Sequence, residues 1–154
     1  MNNVFNEDFQ DFLKAFNKNE VKYLLVGGYS VIIYGYSRTT GDLDLWVEKS
    51  KENYNRIASS FYDFGMSVFD MTEISFLSDE SHVFSFGRIP VRIDILNALK
   101  GVEFNEAFEK SQIHILDSIP VRVIHYNHLI LSKKAAGRFK DLDDIEQLEN
   151  NKSL

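Results

Sequence analysis

Two aspartates one residue apart, Asp42 and Asp44, stand at the head of a strictly alternating run, Asp42–Glu48 (DLDLWVE). In a strand, residues two apart share a face. The spacing projects both carboxylates to one side and turns Leu43, Leu45 and Val47 to the other. Two adjacent carboxylates repel and lose hydration unless something positive lies between them. A hard divalent cation such as Mg²⁺, which takes carboxylate and phosphate oxygens, answers that cost. A solvated edge strand with alternating acids is the plainer reading of the same pattern. A third aspartate, Asp94, lies in the apolar run Val91–Leu96 (VRIDIL). There Val91, Ile93 and Ile95 share one face, and Arg92 and Asp94 the other. A carboxylate in the middle of such a run needs a partner, either a salt bridge, with Arg92 among the candidates, or a metal ion. If this strand lies beside Asp42–Glu48, the three carboxylates form one cluster. Such a cluster can hold two metal ions about 3.5–4 Å apart, which activate an attacking hydroxyl and stabilise a departing phosphate.

Upstream stands Val26-Gly27-Gly28-Tyr29-Ser30. Paired glycines let a backbone approach a ligand closely, and a helix opening after them offers free N–H groups to phosphate. Ser30 adds a hydroxyl. The segment is neither a dinucleotide-binding glycine fingerprint nor a P-loop. A tight strand-to-helix turn explains it equally well.

The elements that must position these residues follow from periodicity. Phe5, Phe9, Phe12, Leu13 and Phe16 form a helical stripe over residues 5–19, with Asn6 as the N-cap. Val21–Val26 reads as a buried strand, 29–35 as a short helix, Arg38–Gly41 as a turn and Asp42–Glu48 as a strand. Ser50 caps a helix whose stripe is Tyr54, Ile57, Ala58, Phe61 and Tyr62, and Gly65 stops it. Ser81–Phe86 and Val91–Leu96 form a hairpin through Gly87-Arg88-Ile89-Pro90. Glu103–Lys110 reads as a short helix. Ile113–Leu116 and Val121–Ile124 are strands around an Asp117-Ser118 turn. The end is helical, over Tyr126–Ala136 and, after a break at Gly137, Leu142–Leu148. The expected class is α/β (α+β): a small, twisted, mixed sheet flanked by helices, with a helical C-terminus. All of 1–154 is expected to be one domain, with an N-terminal helix (1–20), a sheet core carrying the site (21–124) and C-terminal helices (125–154).

Composition bounds the chemistry. The 154 residues contain no cysteine, which removes disulfides, thiolate nucleophiles and Cys-ligated zinc. Net charge is −6, from 17 Lys+Arg against 23 Asp+Glu. Proteins that coat nucleic acid show a basic face, so extended nucleic-acid binding is not expected. Neither a signal peptide nor a membrane span is legible, and the expected location is the cytoplasm. His125 and His128 flank a helix start, where capping is a better account than a metal pair that lacks a third ligand. Trp46 shares the carboxylate face and either lines the site or packs.

Taken in order, Gly-Gly-x-Ser, then Asp-x-Asp, then a later strand Asp resembles the active-site signature of the DNA polymerase beta nucleotidyltransferase superfamily. The likeness is to its small bacterial members, the minimal and abortive-infection toxin-like nucleotidyltransferases. The stretch Lys133–Glu146 (KKAAGRFKDLDDIE) is similar to the C-terminal helix pair of those proteins. The resemblance implies the nucleotidyltransferase fold and transfer of a nucleoside monophosphate from a nucleoside triphosphate, ATP first, to a hydroxyl, with release of pyrophosphate. It implies that Asp42, Asp44 and Asp94 bind Mg²⁺, two ions in the usual case, with Mn²⁺ as a substitute. Asp94 would also help deprotonate the acceptor. Gly27, Gly28 and Ser30 would hold the β- and γ-phosphates, Arg38 and Thr39 would touch phosphate, and Lys133 would lie near the nucleotide. Lys134, Arg138 and Lys140 either extend that basic surface or, for Arg138, pair with Asp141, Asp144 or Glu146 between helices. The acceptor stays open among an antibiotic, a protein side chain and RNA, and a cationic aminoglycoside would suit an acidic cleft. The alternative is a regulatory member of a toxin–antitoxin pair with no small-molecule activity of its own. A homodimer or a small helical protein partner would complete the cleft, and the Phe-rich N-terminal helix is a candidate contact surface.

Overall fold

A computed structural model describes residues 3–88 and 90–152. Six strands form one sheet: β1 (Tyr23–Val26), β2 (Asp42–Val47), β3 (Val83–Arg88), β4 (Val91–Leu96), β5 (Gln112–Leu116) and β6 (Ile119–Val123), in the order β3-β4-β2-β1-β6-β5. The sheet is mixed. β2 runs parallel to β4 and β1 parallel to β6, while β1/β2, β3/β4 and β5/β6 are antiparallel. The helices are α1 (Glu7–Lys18), α2 (Gly27–Ile33), α3 (Lys51–Phe64), α4 (Glu73–Leu77), α5 (Phe104–Lys110), α6 (Tyr126–Ala136) and α7 (Phe139–Lys152). The expected α/β fold is therefore present. No helix among the described residues is long and apolar enough to cross a membrane.

Alternation splits the sheet into two apolar faces. On the first, Leu43, Leu45, Val47, Tyr23, Leu25, Ile93 and Ile95 pack against α1 and α3. The stripe of α1 lies at its centre: Phe12 meets Phe16, Phe61 and Phe64 with ring centroids 4.6, 5.1 and 5.3 Å apart. Those phenylalanines are buried, so α1 is a structural helix and the expectation that its Phe-rich face meets a partner is overturned. On the second face, Leu24, Val26 and Trp46 pack with residues of α5, α6 and α7. Trp46 is 2% exposed and stacks edge-to-face on Phe104 at 5.1 Å, so it packs and does not line a site.

Local signals held wherever a cap or a left-handed residue stood behind them. Asn6 accepts from the Phe9 N–H at 2.8 Å, Ser50 from the Asn53 N–H at 3.1 Å, and His125 from the Asn127 N–H at 3.0 Å. His125 is thus the cap of α6. Asp117 and Ser118 both have positive φ (51° and 64°), which gives the twist that a two-residue hairpin needs. The departures have equally local causes. α2 opens at Gly27 rather than at residue 29. β3 runs to Arg88, so the hairpin tip is shorter than Gly87–Pro90, and Ile89 falls outside the described residues. Tyr62 is exposed and Phe64 packs in its stead, because the apolar face of α3 turns toward α1. α4 was not expected, although Thr72 caps it and Phe76 anchors it. α7 begins at Phe139, ahead of the Leu142 start read from its apolar residues.

Truncating Phe12 to Ala should cost about 3–5 kcal/mol, the range for a buried phenylalanine whose neighbours cannot close the gap. Urea unfolding measures this, and a loss under 1 kcal/mol would show that the α1 cluster is not part of the cooperative core.

Candidate active site

β1 ends at Val26 and the chain turns at once into α2 through Gly27, whose φ is +68°. A Cβ at Gly27 would strike the Asp44 carboxylate, and one at Gly28 would strike the Thr40 hydroxyl. Both glycines are thus required by close approach, and Gly27 also by its dihedral. Ser30 is fully buried, and its hydroxyl donates to the Gly27 carbonyl at 2.7 Å. It shapes the turn from beneath and stands outside the cleft.

Parallel pairing of β2 with β4 sets Asp44 directly opposite Asp94 and Asp42 opposite Arg92. The three carboxylates are therefore neighbours on the second face, at one end of the sheet. Burial, reinforced by the charges of Asp94 and Asp42, pushes the Asp44 carboxyl up to about 7, and Lys140 pulls the other way. Asp44 and Asp94 share a hydrogen bond. Asp94 is 6% exposed, and its Oδ1 accepts from Ser85 Oγ at 2.7 Å and from Arg92 Nε at 3.1 Å. Arg92 Nε lies 4.0 Å from Asp42 Oδ2. Asp42, Asp44, Asp94 and Arg92, with Gly27, Gly28, Lys133 and Lys140, line a cleft of about 340 Å³.

A divalent cation fits this donor set in kind. Three carboxylates supply hard oxygens and three negative charges, and the raised Asp44 carboxyl reports that the charge is under-compensated. No group of three or more acidic or histidine side chains among the described residues already stands in cation-binding geometry. The guanidinium of Arg92 lies between Asp42 and Asp94.

The basic residues sort into two sets. Lys133 is 7% exposed and reaches Asp144 Oδ2 at 3.0 Å and Asp141 Oδ1 at 3.3 Å. Arg138 Nε holds Asp141 Oδ2 at 2.7 Å, and Arg38 Nε holds Asp144 Oδ1 at 3.1 Å. Burial opposes ionisation of Asp141, but Arg138 and Lys133 outweigh it and hold its carboxyl below the usual range. The network ties the loop before β2 to α6 and α7, and it fixes the Lys133 ammonium at the cleft wall. Arg38 stands behind Gly28, and its Nη2 would be 3.4 Å from a Cβ placed there. Thr39 is exposed and outside the cleft lining; Thr40, its neighbour, is the threonine that meets Gly28. Lys140 lines the cleft without an ion pair among the described residues. Ser85, Thr40, Asp141 and Asp144 were not singled out from sequence as site residues. The last two sit in the same C-terminal stretch as Lys133 and carried a signal; Ser85 had none until β3 was registered against β4.

Solved nucleotidyltransferases share this fold. The Thermotoga maritima protein TM1012, assigned as a nucleotidyltransferase, aligns over 93% of this chain and 91% of its own, with a TM-score of 0.64 at 14% identity. The antibiotic-resistance factor ANT(2'')-Ia aligns over 94% of this chain and 82% of its own, with a TM-score of 0.62 at 13% identity. The lincosamide antibiotic adenylyltransferase LnuA, with lincomycin bound, aligns over 96% of this chain and 98% of its own, with a TM-score of 0.60 at 17% identity. No curated protein matches the sequence at a significant level. The fold is therefore one that these nucleotidyltransferases share. Residues 5–153 match the family described as nucleotidyl transferase of unknown function, DUF2204, and the chain belongs to that family.

The raised Asp44 carboxyl sets a pH dependence. In the unfolded chain it ionises near 3.8, and in the cation-free fold near 7. Between those values the folded state carries the extra proton, so stability is greatest below about pH 4 as far as this group is concerned and falls as pH rises toward about 7. Asp44→Asn should remove that slope and stabilise the cation-free protein at pH 7 and above. Denaturant unfolding at a series of pH values in chelator checks it; an unchanged slope would mean that the pair titrates elsewhere.

Proposed function

We propose that this chain is a divalent-cation-dependent nucleotidyltransferase that moves a nucleoside monophosphate from a nucleoside triphosphate to a hydroxyl acceptor. The observation that carries the reading is the register of Asp44 against Asp94, with Asp42 beside them and Gly27 set closely against Asp44. Mg²⁺, or Mn²⁺ in its place, held by Asp42, Asp44 and Asp94, would neutralise the triphosphate and lower the barrier to ionising the acceptor hydroxyl.

The chain's own groups do the rest. Gly27 and Gly28 let the phosphate tail lie against the backbone, where their N–H groups can donate to it. Lys133, steadied by Asp141 and Asp144, and the unpaired Lys140 bring positive charge to the same tail. The acceptor oxygen attacks the α-phosphorus in line with the departing group. One P–O bond forms, the α–β P–O bond breaks and pyrophosphate leaves. The acceptor proton passes to the Asp94 carboxylate, whose Oδ1 is held by Ser85. Positioning and charge neutralisation supply most of the acceleration. ATP is the first nucleotide to test, because LnuA is an adenylyltransferase and ANT(2'')-Ia was captured with adenylyl-2''-tobramycin.

The acceptor side is not acidic. Next to Asp94, away from the glycines, lies an open hollow of about 530 Å³ lined by Ser85, Gly87, Arg88 and Arg92. Two guanidinium groups there favour a neutral or anionic acceptor over a polycation, which reverses the expectation that an aminoglycoside would suit the cleft.

Incubation with each α-labelled nucleoside triphosphate, Mg²⁺, and a panel of a polycationic aminoglycoside, a neutral lincosamide, short RNA and cell extract tests the reading. Label should pass from ATP to an acceptor other than the aminoglycoside. Asp94→Asn should retain nucleotide binding and lower transfer at least about 100-fold, as expected for a group acting in the transition state. No label in any fraction would favour the regulatory toxin–antitoxin role, and transfer to the aminoglycoside alone would overturn the acceptor assignment.

A further inference from the structure

The three carboxylates already have a cation of their own. Arg92 Nε lies 3.1 Å from Asp94 Oδ1 and 4.0 Å from Asp42 Oδ2, and Arg92 Nη2 reaches Ser85 Oγ at 3.3 Å. Two of the proposed cation ligands are thus drawn to one guanidinium. The arrangement follows from register: Arg92 stands opposite Asp42 on the neighbouring parallel strand and two residues from Asp94 on its own, on the same face. A divalent ion placed among these oxygens would meet the guanidinium charge at close range, and like charges at that range repel strongly where the dielectric is low.

Arg92 also has somewhere to go. Its side chain is 41% exposed. On its other side β3 places Gly87 opposite it, which has no side chain, and beyond lies the hollow lined by Ser85, Gly87 and Arg88. Among the described residues no carboxylate lines that hollow, so none of them would recapture the guanidinium. Ser85 stays behind, because its hydroxyl binds Asp94 Oδ1 independently at 2.7 Å and keeps the carboxylate oriented after Arg92 departs.

We propose that Arg92 is a built-in counter-cation that occupies the carboxylate cluster until a divalent ion displaces it, so that cation loading and swinging of Arg92 toward the acceptor hollow are one exchange. Arg92 is a positioning residue in this scheme: it holds Asp42 and Asp94 together in the cation-free protein and weakens cation binding by competing for the same oxygens. The inference rests on the carboxylate site proposed above but concerns its loading.

The test is Mn²⁺ binding to the full chain without nucleotide, followed by electron paramagnetic resonance and by the rise in melting temperature on adding Mn²⁺. Arg92→Gln removes the charge and should bind Mn²⁺ about ten-fold more tightly than the parent. It should melt lower in chelator, because Asp42 and Asp94 lose their partner, and gain more on Mn²⁺ addition. Arg92→Lys keeps the charge and should bind Mn²⁺ within about two-fold of the parent, which separates competition from a general loosening of the strand. Equal or weaker binding by Arg92→Gln would overturn the inference. Asp44→Asn is the control for the site itself. Should it bind Mn²⁺ as well as the parent, the carboxylate site is misassigned. Should it lose Mn²⁺ while Arg92→Gln matches the parent, the site stands and only the counter-cation role falls.

Discussion

Three carboxylates held at one end of a sheet repel one another, and most of the local structure around them answers that repulsion. Asp44 is the most confined of the three. Gly27 crowds it from one side and Asp94 from another, and its carboxyl is pushed up to about 7. Such an arrangement is unfavourable for folding alone, since three apolar or neutral side chains would pack there at lower cost. It persists because the apolar faces of β2 and β4 are buried under α1 and α3, and those contacts fix the register whatever the second face carries. Repulsion of this kind, stored at a site and sustained by a core elsewhere, is typical of functional sites.

The positive charges around the cleft divide into those that are tied down and those that can act. Asp141 and Asp144 are each about 1% exposed and each meets two cations: Lys133 and Arg138 for the first, Lys133 and Arg38 for the second. A buried carboxylate shared between two cations is well compensated, and removing either partner would leave an uncompensated charge. This explains why Arg38, expected to touch phosphate, instead braces the loop that carries Thr40 to Gly28. Lys133 combines both roles: its ammonium is held by Asp141 and Asp144 within the network, and the residue lines the cleft wall. Lys140 lines the cleft and has no ion pair among the described residues.

The two sides of the carboxylates differ in chemistry as well as in place. Toward α2 and α6 the lining is backbone glycine and lysine, suited to a flexible polyanion. Toward β3 it is Ser85, Arg88 of β3 and Arg92 of β4, with an open floor at Gly87. The second side belongs to an edge strand, so it is free of sheet hydrogen bonds on its outer flank. LnuA and ANT(2'')-Ia share the fold at 17% and 13% identity, which leaves the lining of this wall free to differ from theirs.

What the sequence determined by itself is what depends on neighbours a few residues away. The alternation of DLDLWVE and VRIDIL placed Asp42, Asp44 and Asp94 on defined strand faces. The spacing of phenylalanines defined the buried stripe of α1, and Asn6, Ser50 and Gly65 marked helix ends where the structure has them. A likeness in short motifs then pointed to the nucleotidyltransferase class. What only the tertiary structure decided is what depends on the register of the strands against one another. The parallel register of β2 on β4 puts Asp44 opposite Asp94 and sets Arg92 opposite Asp42. The antiparallel β3 delivers Ser85 to Asp94. Ser30 has the composition of a phosphate ligand, yet its hydroxyl turns inward to Gly27, because α2 starts two residues earlier than its apolar pattern suggests. A side chain's periodicity fixes which way it points within its own element, but its partner is chosen by how the elements' apolar faces bury one another, and that is a property of the whole chain.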